Sequence, residues 1–218
     1  AMREAGLAGE AIAVRRPDDL ARVDGLTIPG GESTTISKLL VKLGLFDEIV
    51  RRATAEAMPI MGTCAGCILL SKDAGIQGEK TKTKLLGLMD MSVDRNAFGR
   101  QRESFEADLT VEGLDRPFHC VFIRAPAILR TWGDCRPLSR YQDRIVLARQ
   151  GSDKCQQDHG DMADSHECLR RRITLAGILY HFPNLRILPD FNSGKGLFSP
   201  AYIRHGVLFR FDTNIRRI

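Results

Sequence analysis

An apolar run at residues 58–61 passes directly into Gly62-Thr63-Cys64-Ala65-Gly66 and then into Cys67-Ile68-Leu69-Leu70. A strand that turns into a helix within a few residues, with glycine on both sides of the bend, is the joint of a parallel α/β unit. Gly62 and Gly66 have a steric reason to be small, because a side chain at either would press on the neighbouring strand or on the entering helix. The residue at the bend is a cysteine. A thiol there is a nucleophile candidate: the unpaired amides of a helix start lower its pKa, and the same amides can hold a tetrahedral oxyanion.

A second joint precedes the first. Residues 25–28 (GLTI) form an apolar strand that stops at Pro29-Gly30-Gly31. Ser33-Thr34-Thr35 can cap a helix whose apolar positions Ile36, Leu39, Leu40 and Leu43 share one face, expected to be buried, with Gly44 as the stop. Residues 47–57 suggest another helix, 59–61 a strand, and 65–72 the helix after Cys64. Such folds bind ligands at the carboxyl ends of strands, where both Pro29-Gly30-Gly31 and Gly62-Thr63-Cys64 fall. Two successive glycines before a helix let amides converge on an anion, although a plain turn has the same sequence. Arg95 and Arg124 each follow an apolar strand, so either could bring a guanidinium to that edge; an ordinary surface position fits equally well.

Further along, residues 85–93, 104–109, 118–123 and 145–149 read as strands of the second half of the domain, with an antiparallel or mixed edge. Residues 1–150 therefore group as one α/β domain. Beyond Gln150 the pattern changes: residues 151–160 (GSDKCQQDHG) contain no apolar run, and 151–218 form a divergent C-terminal region without clear caps.

With 218 residues and 43% hydrophobic content, one sizeable core is the natural size for this chain. A net charge of +5 raises nucleic-acid binding as a question. The arginines fall in short scattered pairs and one triplet, which solvated faces explain, so no nucleic-acid partner is expected. No stretch approaches the roughly 18 apolar residues of a membrane span, and no signal-peptide pattern opens the chain. Six irregularly spaced cysteines suggest free thiols in a reducing compartment, hence a cytoplasmic protein. Cys64 and Cys67 also make a C-x-x-C pair, the spacing of a redox couple or of half a zinc site; the other half is missing, and no metal or cofactor is expected.

Five segments together resemble the glutaminase subunits of pyridoxal 5'-phosphate synthase, in the class I glutamine amidotransferase family. They are LTIPGGESTTISKLL (26–40), PIMGTCAG (59–66), VDRNAFGRQRESFEADL (93–109), FIRAPAI (122–128) and VLARQG (146–151), within a resemblance that runs from about residue 3 to 151. It implies a flavodoxin-like three-layer α/β domain with a mostly parallel central sheet. It further implies that Cys64 attacks the side-chain amide of L-glutamine, releasing ammonia and leaving a glutamyl thioester for water. The backbone at Gly31 and Ala65 would form the oxyanion hole. Gly31, Glu32 and Ser33 would line the glutamine site, and Arg95, Ile123 and Arg124 would complete it. The implied partner is the (β/α)8 synthase subunit that consumes the ammonia.

The chain departs from this family in two places. The family opens with a strand and a helix, and this sequence is expected to enter within that helix, lacking the strand, as a fragmentary or alternatively read product would. The family's base is His-Pro-Glu soon after ARQG, which is absent here. His159-Gly160-Asp161 keeps the i, i+2 spacing, with His159 nine residues beyond Gln150, and is the expected base and orienting acid. His166-Glu167 is the other pair, but adjacent residues on a strand point apart. The alternatives are a glutamine-binding or scaffold protein without a base, and thiol-disulfide exchange at Cys64 and Cys67.

Overall fold

A computed structural model describes residues 9–99, 103–151, 174–177 and 208–211. The opening elements are β1 (Gly9–Ile12), α1 (Pro17–Leu20) and β2 (Gly25–Ile28). Next come α2 (Ser33–Lys42), α3 (Leu45–Ala55), β3 (Ile60–Thr63) and α4 (Ala65–Leu70). The middle holds β4 (Ser71–Asp73), α5 (Gly75–Lys80), β5 (Met89–Asp94), β6 (Phe105–Leu109) and β7 (Phe118–Phe122). The strands β8 (Ala127–Thr131), β9 (Cys135–Tyr141) and β10 (Arg144–Gln150) are followed by β11 (Thr174–Gly177) and β12 (Leu208–Phe211). The helical remnant expected at the start of the chain falls largely on residues 1–8, outside the described residues.

Among the described residues, ten strands form one sheet in the order β1-β12-β2-β3-β11-β10-β8-β5-β4, with β9 pairing β10 off that path, and β6 and β7 form a separate ribbon. The expectation of a mostly parallel sheet is corrected here. Among the described strands, the pairings β2/β3, β3/β11 and β4/β5 are parallel, whereas the other pairings are antiparallel. The reason is loop length. Parallel neighbours need a crossover of a dozen or more residues, which the helices supply between β2 and β3, but β9 and β10 are joined by two residues, with Gln142 at φ 51.

The main core gathers Leu20, Val23, Ile28, Ile49, Ile60, Leu69, Leu70, Met89 and Met91 between helices and sheet. Arg52 pins α3 to the α1 turn by donating to the carbonyls of Leu20 and Val23. A satellite core lies under the ribbon, where Phe105 stacks on Phe122 at 4.5 Å between centroids, with Phe98 and Tyr141 packed around them. Arg51 and Arg52 engage Glu48 and Glu56 along α3; Arg51 lies on a solvated, ion-paired face, whereas Arg52 is 13% exposed and turned inward.

Three local expectations differ from the structure, in whole or in part. The cap of α2 is Glu32, whose carboxylate accepts from Thr34 N at 2.9 Å and Thr35 N at 2.6 Å. The expected core stripe of α2 holds only in part: Ile36 and Leu40 pack against the core, but Leu39 and Leu43 are 49% and 44% exposed while Ser33 and Ser37 are buried. The helix is turned so that Ser33, Ser37 and Leu40, spaced i, i+4, i+7, face inward, and Ser37 Oγ donates to the carbonyl of Lys84 at 2.7 Å. The α4 helix ends at Leu70, and Ser71–Asp73 continues as strand β4 rather than as helix.

Candidate active site

Strand β2 and strand β3 run parallel with Ile28 across from Gly62, so the loops beginning at Pro29 and at Thr63 leave the same sheet edge side by side. Cys64 sits in the second of these loops as the N-cap of α4, at φ 50 and ψ −104. Positive φ at a residue with a β-carbon is strained, and such strain persists only where the surroundings enforce it. Both neighbouring glycines enforce it. A Cβ at Gly62 would fall 2.6 Å from the backbone of Gly66, and one at Gly66 would fall 2.2 Å from the carbonyl oxygen of Ile28. The start of α4 is thereby seated on the last residue of β2, immediately before Pro29-Gly30-Gly31.

At 7% exposed, Cys64 is neither open like a surface thiol nor sealed like Ala65 at 0%. Ala65 opens α4, and the N–H groups of a first helical turn have no intrahelical acceptor. With six residues, α4 carries little macrodipole, so these amides are the stronger local effect. Gly31, at φ 146, is held open in the facing loop. Cys67 is 1% exposed, and burial, then the thiols of Cys64 and Cys135, push its pKa far above the usual range. The attacking thiol of a C-x-x-C exchange couple must be accessible and easily ionised, so Cys67 cannot be that member.

Arg95 follows β5 directly and crosses to the head of α2, its side chain 11% exposed. One Nη donates to Ser33 Oγ at 2.7 Å and the other to Thr81 Oγ1 at 2.9 Å. Glu32 Oε1 lies 3.5 Å away. Burial opposes the charge on Glu32, but the bonds from Thr34 N, Thr35 Oγ1 and Thr35 N outweigh it and hold the carboxyl down at about 2. Glu32 therefore serves α2 and Arg95 as a fixed anion. Arg124 is exposed at φ 48, with Ile123 half-buried beside it. This FIRAP segment abuts the RNAF turn, where Phe98 N donates to the carbonyl of Ala125 and Asp94 pairs with Ala127.

The structure thus brings Arg95, Glu32 and Ser33 into direct contact and places the Cys64 elbow beside the Gly31 loop. His159, Asp161, His166 and Glu167 lie outside the described residues. Among the described residues, His119 is the histidine present; it belongs to the ribbon, with Nδ1 on Asp108 at 2.7 Å and Nε2 on Glu106 at 3.2 Å. Sequence reasoning missed Thr81 and Thr83, which contact Arg95 and Thr34. Their T-K-T spacing was a weak signal, visible only once α2 is known to lie against that turn.

A cysteine on a strained strand-to-helix elbow, facing a glycine loop at the carboxyl edge of an α/β sheet, defines the class I amidotransferase type of domain. The chain belongs to the SNO glutamine amidotransferase family, a model of which matches residues 1–172. It is 51% identical over 152 residues to the pyridoxal 5'-phosphate synthase subunit PdxT of Methanosarcina barkeri, covering 70% of this chain and 76% of that protein. The PdxT subunit of Archaeoglobus fulgidus is 53% identical over 150 residues, 69% of this chain and 75% of that protein. A crystal structure of a glutamine amidotransferase superposes with a TM-score of 0.64 at 39% identity, over 81% of this chain and 79% of that one.

Proposed function

We propose that this chain is the glutaminase subunit of a pyridoxal 5'-phosphate synthase, hydrolysing L-glutamine to L-glutamate and ammonia. The observation that carries the reading is the elbow: Cys64 held at φ 50 by Gly62 and Gly66, against the end of β2. Its Sγ attacks the side-chain amide carbon, and the backbone N–H groups of Gly31 and Ala65 receive the developing oxyanion. The C–N bond then breaks, ammonia leaves with the proton the base took from the thiol, and water opens the thioester to give glutamate and free thiol. Gly31, Glu32, Ser33 and Ile123 line the substrate site, while Arg95 and Arg124 bind glutamine's polar ends. Ammonia passes to a (β/α)8 synthase subunit docked on this one. No helix among the described residues is long and apolar enough to cross a membrane, and the free thiols of Cys64, Cys67, Cys120 and Cys135 fit the cytoplasm.

The base comes from beyond Gly151. His159, oriented by Asp161, is supported by its i, i+2 spacing and its distance from Gln150. A specific observation favours a rival. Strand β11 runs parallel to β3 with Gly177 across from Thr63, so its carboxyl end adjoins the Cys64 elbow. His181 comes four residues later, and four residues reach at most about 14 Å. His159 precedes β11 by fifteen residues, a tether that constrains nothing.

The test is ammonia release from glutamine by the full chain, with and without the synthase subunit. Cys64→Ala abolishes release, and whichever of His159→Ala and His181→Ala lowers it by about a thousandfold identifies the base. Release unaffected by Cys64→Ala refutes the proposal. Stabilisation by glutamine without turnover points instead to a binding protein that lacks a base.

A further inference from the structure

The turn at residues 81–83 meets Arg95 on the side away from Ser33, and it does so through hydroxyls. Thr81 Oγ1 and Thr83 Oγ1 are 2.7 Å apart, and Thr83 Oγ1 is 2.8 Å from Thr34 Oγ1. Arg95 closes the circuit at both ends, donating to Thr81 Oγ1 at 2.9 Å and to Thr34 Oγ1 at 3.4 Å. One donor direction satisfies every bond. Arg95 donates to Thr34, Thr34 to Thr83 and Thr83 to Thr81, while Thr81 donates to the carbonyl of Gly78 at 3.2 Å. Between the two threonines, Lys82 adopts φ 50, a conformation costly for a residue with a side chain. That strained residue lets both flanking hydroxyls join the circuit around one guanidinium. The turn is also tied to α2, since Ser37 donates to the carbonyl of Lys84.

A guanidinium on a long side chain has several rotamers, and fixing it in advance saves that ordering at the moment of binding. Glu32, at 3.5 Å, offers Arg95 a competing intramolecular carboxylate. We infer that Thr81 and Thr83 are positioning residues that aim Arg95 at the carboxylate of the incoming glutamine and hold it off a closer pairing with Glu32. This rests on the reading of Arg95 as a substrate contact, and the two can fail separately. The hydroxyl ring acts on affinity rather than on the thiol chemistry, because it touches Arg95 and the α2 head but not Cys64.

The experiment is steady-state ammonia release by the full chain with the synthase subunit, for Thr83→Val, Thr83→Ser, Arg95→Ala and the Arg95→Ala/Thr83→Val double variant. Thr83→Val keeps shape and loses the hydroxyl, and is expected to raise KM for glutamine about tenfold with kcat changed less than about twofold. Thr83→Ser restores the parent KM. In the Arg95→Ala background, Thr83→Val adds less than about twofold, because the group it positions is gone. A raised KM in Arg95→Ala beside an unchanged KM in Thr83→Val overturns this inference and leaves the site reading standing. Equal losses in the Val and Ser variants, or additive losses in the double variant, overturn it in favour of a merely structural turn. An Arg95→Ala variant with the parent KM, or a parent chain that releases no ammonia, overturns the site reading and this inference with it.

Discussion

Replacing Gly66 with alanine tests the geometry on which the active site depends. Gly66 lies in the first turn of α4, and a Cβ there would be 2.2 Å from the oxygen, 2.9 Å from the carbonyl carbon and 3.1 Å from the Cβ of Ile28. Carbon and carbonyl oxygen approach comfortably at about 3.3 Å, so α4 and β2 must separate by about 1 Å. The obstructing atoms are mostly backbone of a strand paired to β3, so no rotamer change relieves the contact. Every residue of α4 is buried, and lifting it disturbs Cys67, Ile68, Leu69 and Leu70 together. Overpacking of this kind costs about 3 kcal/mol, and alanine's better helix propensity returns at most about 1 kcal/mol, which leaves a net loss of about 2 kcal/mol. A nucleophile displaced by about 1 Å loses about a hundredfold in rate.

Urea unfolding and ammonia release measure the two consequences independently. Gly75→Ala is the control: its φ is +63 with nothing within 4 Å, so it carries backbone strain without collision. It should lose about 1 kcal/mol and keep its rate. If Gly66→Ala unfolds within about 0.5 kcal/mol of the parent and retains its rate within about twofold, the elbow is not set by the packing of α4 on β2, and the account of Cys64's strain is wrong.

Two further outcomes concern the same site. Glu32→Gln tests the fixed anion: a drop from 4.5 to about 2 would be worth about 3 kcal/mol in a dry site, but at 58% exposure screening reduces this to about 1 kcal/mol. Because the folded pKa is the lower one, that stability is present above pH 4.5 and lost as pH falls toward 2, so parent and Glu32→Gln unfolding curves should differ at pH 7 and converge near pH 2. For the thiols, a small alkylating reagent should label Cys64 in the native protein and Cys67 only after unfolding, with mass spectrometry locating the adducts. Native labelling of Cys67 would contradict its burial.

The elements that sequence made legible are those whose causes are local. Proline and paired glycine end β2 at Ile28, alternation marks β6, and Gly44 ends α2 at φ 69 because few other residues adopt that conformation. The elbow was legible for the same reason: collisions at Gly62 and Gly66 are with chain close by in sequence or in the neighbouring strand. What escaped depends on partners remote in the chain. Leu39 and Leu43 carry a helical apolar period, yet α2 presents serines inward because its inner face meets the backbone at Lys84 and the guanidinium of Arg95. Likewise, no property of Glu32 alone marks it as the cap of α2; the amides of Thr34 and Thr35 that donate to it do.

The antiparallel half of the sheet has a consequence for catalysis. Had residues beyond 150 simply extended a parallel sheet outward, the C-terminal region would begin far from Cys64. Instead β10 turns the chain back, and β11 inserts between β10 and β3, in register with the strand that carries the nucleophile. A central position beside β3 is the one from which the next residues can meet a thiol at the carboxyl edge. Spacing from Gln150 selects His159, but sheet register selects the residues just after Gly177. These criteria disagree because one counts residues along the chain, and the other asks where the chain re-enters the sheet. Ammonia release by His159→Ala and His181→Ala decides between them.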